Sequence, residues 1–353
     1  MSRPTRAFRA ALAALALLAA GPALPRPAAA AEQLVVAGST DIDAMAPVLK
    51  AFEALYPEMR VIYHERETVG LYEEVLDGTL LPPPDVVISS ATDLQIRLVN
   101  DGFSRPHVSE ATRRLPDWAI WRDEAFGFTF EPLVFVVNPA EIDGDDVPRT
   151  RERLAALISG DPAFRGRVAT YDIRQSGIGY LMASFDQSAM SDFWPFVARV
   201  AEGGLMTACC AGEVVELVAS GKAAVGYNVL GSYAHARKAA GAPIEIVYPE
   251  DFMFVIARVA FIMKDAPNVA AAELFIDFLL SEAAQRVFAH ESMLSAIDPA
   301  ITDGLGQTTI RAAARGPIRP IPLNAALLAM TDPLRRQRFV DLWSQVTGKS
   351  PAE

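Results

Sequence analysis

Four short segments of this 353-residue chain carry residue types that can hold a small polar group. They are Gly38-Ser39-Thr40, Ser89-Ser90-Ala91, Gln175-Ser176-Gly177 and 228–232, the last containing Asn228 and Ser232 and running into Tyr233. In each, strand-forming residues end and small or hydroxylic residues lead into a helical pattern. The first N–H groups of a helix are unpaired and sit at the positive end of its dipole, so such turns suit anionic or strongly polar groups. A serine or threonine at this place is also an ordinary N-cap, contributing ~1 kcal/mol to its helix. One such loop is weak evidence; four at equivalent turns point to a common site.

Arg174 lies in the 172–177 loop beside the third helix start. A guanidinium there either grips a phosphate or carboxylate bidentately or pairs with Asp172. Arg66 and Arg258 are weaker candidates of the same kind. Tyr63, Tyr171, Tyr227 and Tyr233 stand at strand ends, where they line a cleft or fill the core. Signals for catalysis are poor. His64-Glu65 and His290-Glu291 lack the second histidine of a zinc-protease helix, and neither a Gly-x-Ser-x-Gly elbow nor a phosphate-binding glycine signature occurs. The histidines His64, His107, His235 and His290 are expected to be structural or solvent-facing. The chain is therefore read as a non-enzyme with no cofactor and no metal. Cys209 and Cys210 are adjacent, so no disulfide framework supports the fold; they are expected to be two small buried side chains.

The elements that must position these loops alternate between strand and helix. Strands are predicted at 34–37, 59–63, 85–89, 128–138, 167–171, 223–227, 244–248 and 252–263. Helices are predicted at 42–56, 70–76, 91–100, 150–157, 178–189, 213–219, 233–239, 270–280, 283–289 and 332–346. Pro132 inside 128–138 implies an edge strand or a bend. This alternation predicts an α/β fold in which mainly parallel sheets are flanked by helices. About 320 residues exceed the size of a single ordinary core. Two lobes are expected, 32–131 with 259–353 and 132–258, joined by crossing strands near Phe130-Glu131-Pro132 and Arg258-Val259-Ala260, with the C-terminal tail wrapping over the surface.

Ahead of these elements, Arg3, Arg6 and Arg9 precede an uncharged apolar run at 10–20 and four alanines at 28–31. That is the pattern of a removable export signal, too short to span a bilayer, which needs ~20 apolar residues. It predicts a mature start near Glu32 and a periplasmic location, and the absence of a cysteine at the cleavage site argues against a lipid anchor. Losing the four arginines of 1–31 leaves 28 basic against 43 acidic residues. Nucleic acid is then an improbable partner, because phosphate-backbone binding needs clustered Lys and Arg.

The order and spacing of LVVAGSTDIDAMAPVLKAFEALYP, PPDVVISSATDLQIRLVNDG, GRVATYDIRQSGIGY, VVELVASGKAAVGYN and AAELFIDFLLSEAAQRVF resemble a type 2 periplasmic solute-binding protein of an ABC transporter. The resemblance is to the branch holding ferric-iron-binding proteins and their organophosphate-binding relatives. It implies two hinged lobes closing over one ligand, a monomer, and delivery to an inner-membrane permease; a sensor subunit serving a histidine kinase shares the same fold. Iron-binding members place a histidine after the first strand, an acid after the third, and consecutive tyrosines after the strand matching 223–227. Here those places hold Ser39-Thr40, Ser90 and Gly231-Ser232-Tyr233. The ligand implied is a small phosphorylated or carboxylated organic anion, held by Ser39, Thr40, Ser89, Ser90, Arg174, Gln175, Ser176, Gly177, Asn228, Ser232 and Tyr233. Ferric iron is the alternative.

Overall fold

The computed structural model describes residues 32–348; the export signal read at 1–31 lies outside them. Strand and helix alternate from the start: β1 (Glu32–Gly38), α1 (Ile42–Leu55), β2 (Met59–Glu65), α2 (Thr68–Leu76), β3 (Val86–Ser89) and α3 (Thr92–Asn100). Helix α1 forms because Ala44, Met45, Val48, Leu49 and Phe52 recur on one face and are buried there. Three short strands follow, β4 (Ser104–Arg105), β5 (Ile120–Trp121) and β6 (Ala125–Gly127), ahead of β7 (Glu131–Val137). The next stretch holds α4 (Arg151–Gly160), β8 (Val168–Tyr171), α5 (Gly177–Ala189), α6 (Phe193–Val200), β9 (Leu205–Ala208), α7 (Ala211–Ala219), β10 (Val225–Leu230), α8 (Gly231–Ala239), β11 (Glu245–Val247) and β12 (Met253–Ile256). The chain ends with β13 (Val259–Met263), α9 (Val269–Leu279), α10 (Glu282–His290), α11 (Gln307–Ala313), β14 (Ile318–Pro320) and α12 (Pro333–Thr347). Among the described residues, no helix is long and apolar enough to cross a membrane.

Two sheets result. The first runs β2-β1-β3-β13-β6-β5 with β4 beside β13, and the second β14-β12-β7-β10-β8-β9 with β11 beside β7. The parallel pairs β1/β2, β1/β3, β8/β9 and β8/β10 come from strand-helix-strand units. Strands β7 and β13, which follow the two crossings, pair antiparallel with their neighbours. The fold is the expected α/β pair of helix-flanked sheets, but each sheet is mixed where the alternation predicts mainly parallel ones. Of the two readings of Pro132, an edge strand or a bend, the edge is overturned, for β7 is an interior strand with β10 and β12 at its sides and starts where the chain passes from one sheet to the other. Proline is tolerated there because it is the second residue of the strand, just after the crossing.

The crossings lie side by side. The apolar run 252–263 is not one strand, since β12 ends in one sheet and β13 begins in the other with Ala257 and Arg258 between them. Arg258 Nε donates to Glu131 Oε1 at 2.6 Å, and the side chains are 1% and 0% exposed. Thr129 Oγ1 accepts the Arg258 N–H at 2.8 Å and donates to Glu131 Oε1 at 3.0 Å. Each charge thus has its countercharge, without which burial costs several kcal/mol.

The tail ties the molecule together. Strand β14 extends the second sheet beside β12, and α12 sets Phe339 against Trp194 and Tyr180 at ring separations of 5.1 and 5.5 Å. Arg336 of the same helix lies over the Tyr180 ring at 4.8 Å and reaches the Arg174 carbonyl at 3.4 Å. Nearby, Asp93 in the first turn of α3 is buried with neither carboxyl oxygen in a hydrogen bond.

Candidate solute-binding site

A cavity of about 220 Å³ opens where loops of both sheets face one another. From the first sheet it is lined by Ser39 and Asp41 after β1, by 65–68 after β2, and by Ser90 after β3. From the second come Tyr171, Ser176 and Ile178 around β8 and α5, Cys209, Cys210 and Ala211 where β9 leads into α7, and Leu230 and Tyr233 around the start of α8. Arg258 enters from the crossing. Apart from that arginine, every lining residue follows or ends a strand that feeds a helix, where α/β sheets bind ligands.

The first wall is fixed by short-range bonds. Ser39 Oγ and Ser89 Oγ are 2.9 Å apart, and the Ser39 N–H donates to the Ile88 carbonyl at 2.9 Å. Gly38 is required because a Cβ there would collide with the Tyr63 hydroxyl, which donates to the Thr40 carbonyl at 2.6 Å. Thr40 Oγ1 in turn accepts from Arg258 Nη1 at 2.8 Å. On the opposite wall, Ser176 caps α5 by accepting the Gly179 N–H at 3.2 Å. Gly179 must be small, since a Cβ would run into Tyr171 Cβ. The Gly177 N–H crosses the gap to Thr68 Oγ1 at 3.1 Å, a direct bond between the two sides. Tyr171 Oη accepts the Leu230 N–H at 3.3 Å.

Of the residues named from sequence, Ser39, Ser90, Ser176 and Tyr233 meet at this cavity, and so do the weaker candidates Arg66 and Arg258 and the strand-end Tyr171. Thr40 and Ser89 are buried behind the wall, and Gly177 spends its N–H on Thr68. The others are placed elsewhere. Arg174 holds Asp172 through Nε at 2.9 Å and Nη2 at 2.6 Å, so the ion pair prevails over a ligand-facing position. Gln175 is exposed and outside the lining. The expected loop at 228–232 does not exist: β10 runs to Leu230 and α8 begins at Gly231. Asn228 takes a left-handed φ of 58° at a register shift and donates at 2.5 Å to buried Asp186. That carboxylate also binds Arg151 and the Tyr227 hydroxyl, forming a polar cluster inside the second half of the fold. Ser232 is buried and donates to Glu131 Oε2 at 2.6 Å.

Sequence reasoning missed Asp41, Glu65, Glu67, Thr68, Leu230 and the cysteine pair, and ranked Arg258 below Arg174. Glu67-Thr68 and Cys209-Cys210-Ala211 share the strand-to-helix construction of the recognised loops, and that was the available signal. The cysteines are half-buried and line the cavity, which corrects their reading as core fillers. Burial, and then the Cys210 thiol and Glu213, hold the Cys209 thiol well above its usual range. Cys209, Cys210 and Glu213 also bring three potential metal-ligand atoms within 4.8 Å of one another.

Charge divides the cavity. Arg258 is neutralised by Glu131 yet lies 5.5 Å from the Tyr233 ring centroid. Asp41, Glu65 and Glu67 also line the cavity, together with Arg66, whose Nε donates to Glu74 Oε2 at 2.8 Å. Burial and then Asp41, Glu65 and Glu213 raise the Glu67 carboxyl above the usual range. Glu65 Oε2 accepts the Ile42 N–H at 2.7 Å, so the start of α1 is already met by a carboxylate. Burial pushes the Tyr233 phenol up to about 12 and that of Tyr171 higher, so both stay protonated at neutral pH.

A family model described as a bacterial extracellular solute-binding protein matches residues 34–293. The substrate-binding protein of an ABC transporter from Agrobacterium tumefaciens is 30% identical in sequence, with a TM-score of 0.83 over 91% of this chain and 96% of that one. Two more distant structures share the fold. Actinobacillus pleuropneumoniae AfuA with fructose-6-phosphate bound is 18% identical, with a TM-score of 0.71 over 90% and 99% of the two chains. Iron-bound HitA from Pseudomonas aeruginosa is 19% identical, with a TM-score of 0.68 over 88% and 99%.

Proposed function

Because the chain belongs to the bacterial extracellular solute-binding proteins, we propose that it captures a small phosphorylated or carboxylated organic solute in the periplasm and delivers it to an ABC permease. The observation that carries this reading is the 220 Å³ cavity, lined from both sheets by Ser39, Ser90, Thr68 and Ser176 hydroxyls around Arg258. The anionic end of the solute meets those hydroxyls and the edge of the guanidinium. Its other end faces Asp41, Glu65 and Glu67 beside Arg66, whose charge is already met by Glu74; the three acids disfavour a second negative group there. Ser39-Thr40, Ser90 and Gly231-Ser232-Tyr233 stand where iron-binding members carry a histidine, an acid and consecutive tyrosines, and this favours the organic solute over iron. Closure by the Thr68 and Gly177 contact lets both sides touch one ligand, so binding draws the open form toward the closed one.

A thermal-shift screen of the mature chain against sugar phosphates, phosphonates, dicarboxylates and ferric salts tests the proposal, followed by calorimetry on each hit. A phosphorylated or carboxylated compound should raise the melting temperature and lose its effect in Ser176→Ile. Tight ferric binding with a tyrosinate absorption band, and no response to the organic anions, would overturn it.

A further inference from the structure

The cysteine pair has chemistry that organic-solute capture leaves unused. Cys209 follows β9 and Cys210 stands at the N-cap position of α7 without a side-chain capping bond, while Glu213 lies in the first turn of that helix. The two Sγ atoms and a Glu213 carboxylate oxygen all lie within 4.8 Å of one another. The Cys209 N–H donates to Glu213 Oε2 at 3.2 Å, which holds the carboxylate beside the sulfurs. Both cysteines line the cavity, so one side of the group is open to whatever fills it.

We propose that Cys209, Cys210 and Glu213 form a three-ligand site for a thiophilic divalent cation such as zinc, with its remaining position facing the solute cavity. Two sulfurs on a tetrahedral zinc, each at ~2.3 Å, stand ~3.8 Å apart, a spacing inside the 4.8 Å span of the cluster. A disulfide fits worse. Adjacent Cα atoms across a trans peptide are ~3.8 Å apart, short of the ~4.4 Å minimum of ordinary disulfides. Binding exchanges two S–H bonds for two metal–sulfur bonds and releases two protons to solvent. Two thiolates and one carboxylate then leave the complex with one negative charge, beside the positive end of α7. The cation also counters the repulsion that Glu67 feels from Glu213, Glu65 and Asp41. The site does not depend on which solute the cavity takes.

The test uses the whole mature protein, reduced and freed of metal, titrated with zinc by calorimetry and with cobalt(II) as a spectroscopic probe. A near-ultraviolet sulfur-to-cobalt charge-transfer band should appear, and zinc should release roughly two protons per ion, read from titrations in buffers of different ionisation enthalpy. Cys209→Ser and Cys210→Ser should each weaken zinc binding at least about a hundredfold and reduce the band, while Glu213→Gln keeps the band and loses roughly tenfold in affinity. All three variants should melt at the unaltered temperature in chelator. The proposal falls if cobalt gives no such band, if the double serine variant binds zinc as tightly as the parent, or if thiol titration of the freshly isolated protein, denatured in chelator, finds no free cysteine.

Discussion

Replacing Asp93 by asparagine should stabilise the protein, and by an amount that depends on pH. Burial lifts the Asp93 carboxyl from 3.8 to about 6; the nearby Leu94 N–H and Arg336 offset only part of that. A raised folded-state value means that the native state holds its proton more tightly than the unfolded chain. Stability is then lost as pH rises from about 4 through about 6, and the penalty is constant above that. At ~1.4 kcal/mol per pH unit, the penalty is about 1 kcal/mol at pH 4.5 and about 3 kcal/mol at pH 7.5. An asparagine side chain cannot ionise, so urea denaturation of Asp93→Asn and the parent at those two values should diverge by about 2 kcal/mol more at the higher one. Any cost of an unpaired amide is the same at both and cancels. A difference that is independent of pH, or a parent that gains on the variant as pH rises, would refute the assignment.

Three further outcomes follow from particular contacts. Arg258→Met strands the Glu131 carboxylate in the interior and should cost about 3–5 kcal/mol in urea denaturation, most of it recovered by adding Glu131→Leu; a single variant as stable as the parent would refute the coupling. Thr68→Val removes the acceptor for the Gly177 N–H and should weaken affinity for a bound solute about fivefold, near 1 kcal/mol, by disfavouring the closed form. Small-angle scattering should then show a larger open fraction, and unchanged scattering and affinity would count against that bond. Ser176→Ile both fills the cavity and removes the α5 cap, so calorimetry should show solute binding abolished while melting reports a loss of only ~1 kcal/mol.

The strand-to-helix turns were legible in the chain because their signals are local. A hydroxyl or glycine before an amphipathic run marks a helix start whatever the fold, and Ser39, Ser90 and Ser176 were found this way. The misreadings came where a distant partner decides. Arg174 and Arg258 look alike in sequence. Arg174 has Asp172 two residues away, whereas the countercharge of Arg258 is Glu131, brought close only by the second crossing. Asn228, Gly231 and Ser232 read as part of a loop over 228–232, yet Asn228 takes its left-handed conformation within β10, where buried Asp186 accepts its amide. Helix α6, with Pro195 in its first turn, and β9 fill a stretch in which the sequence reading assigns no element, and that hid the loop carrying Cys209 and Cys210.

The place of β13 has a consequence for the order of folding. It lies between β3 and β6 in the first sheet, with Val259 opposite both Ser89 and Gly127. The chain up to residue 127 therefore makes six of the strands of that sheet but lacks the one that joins them. A polypeptide threaded N-terminus first through a narrow channel gains this central strand only after the whole of the second sheet's β7–β12 segment has passed. Pairing of such high sequence separation is slow. Without that strand, β2, β1 and β3 can pair with one another, but they cannot be joined to β6 and β5.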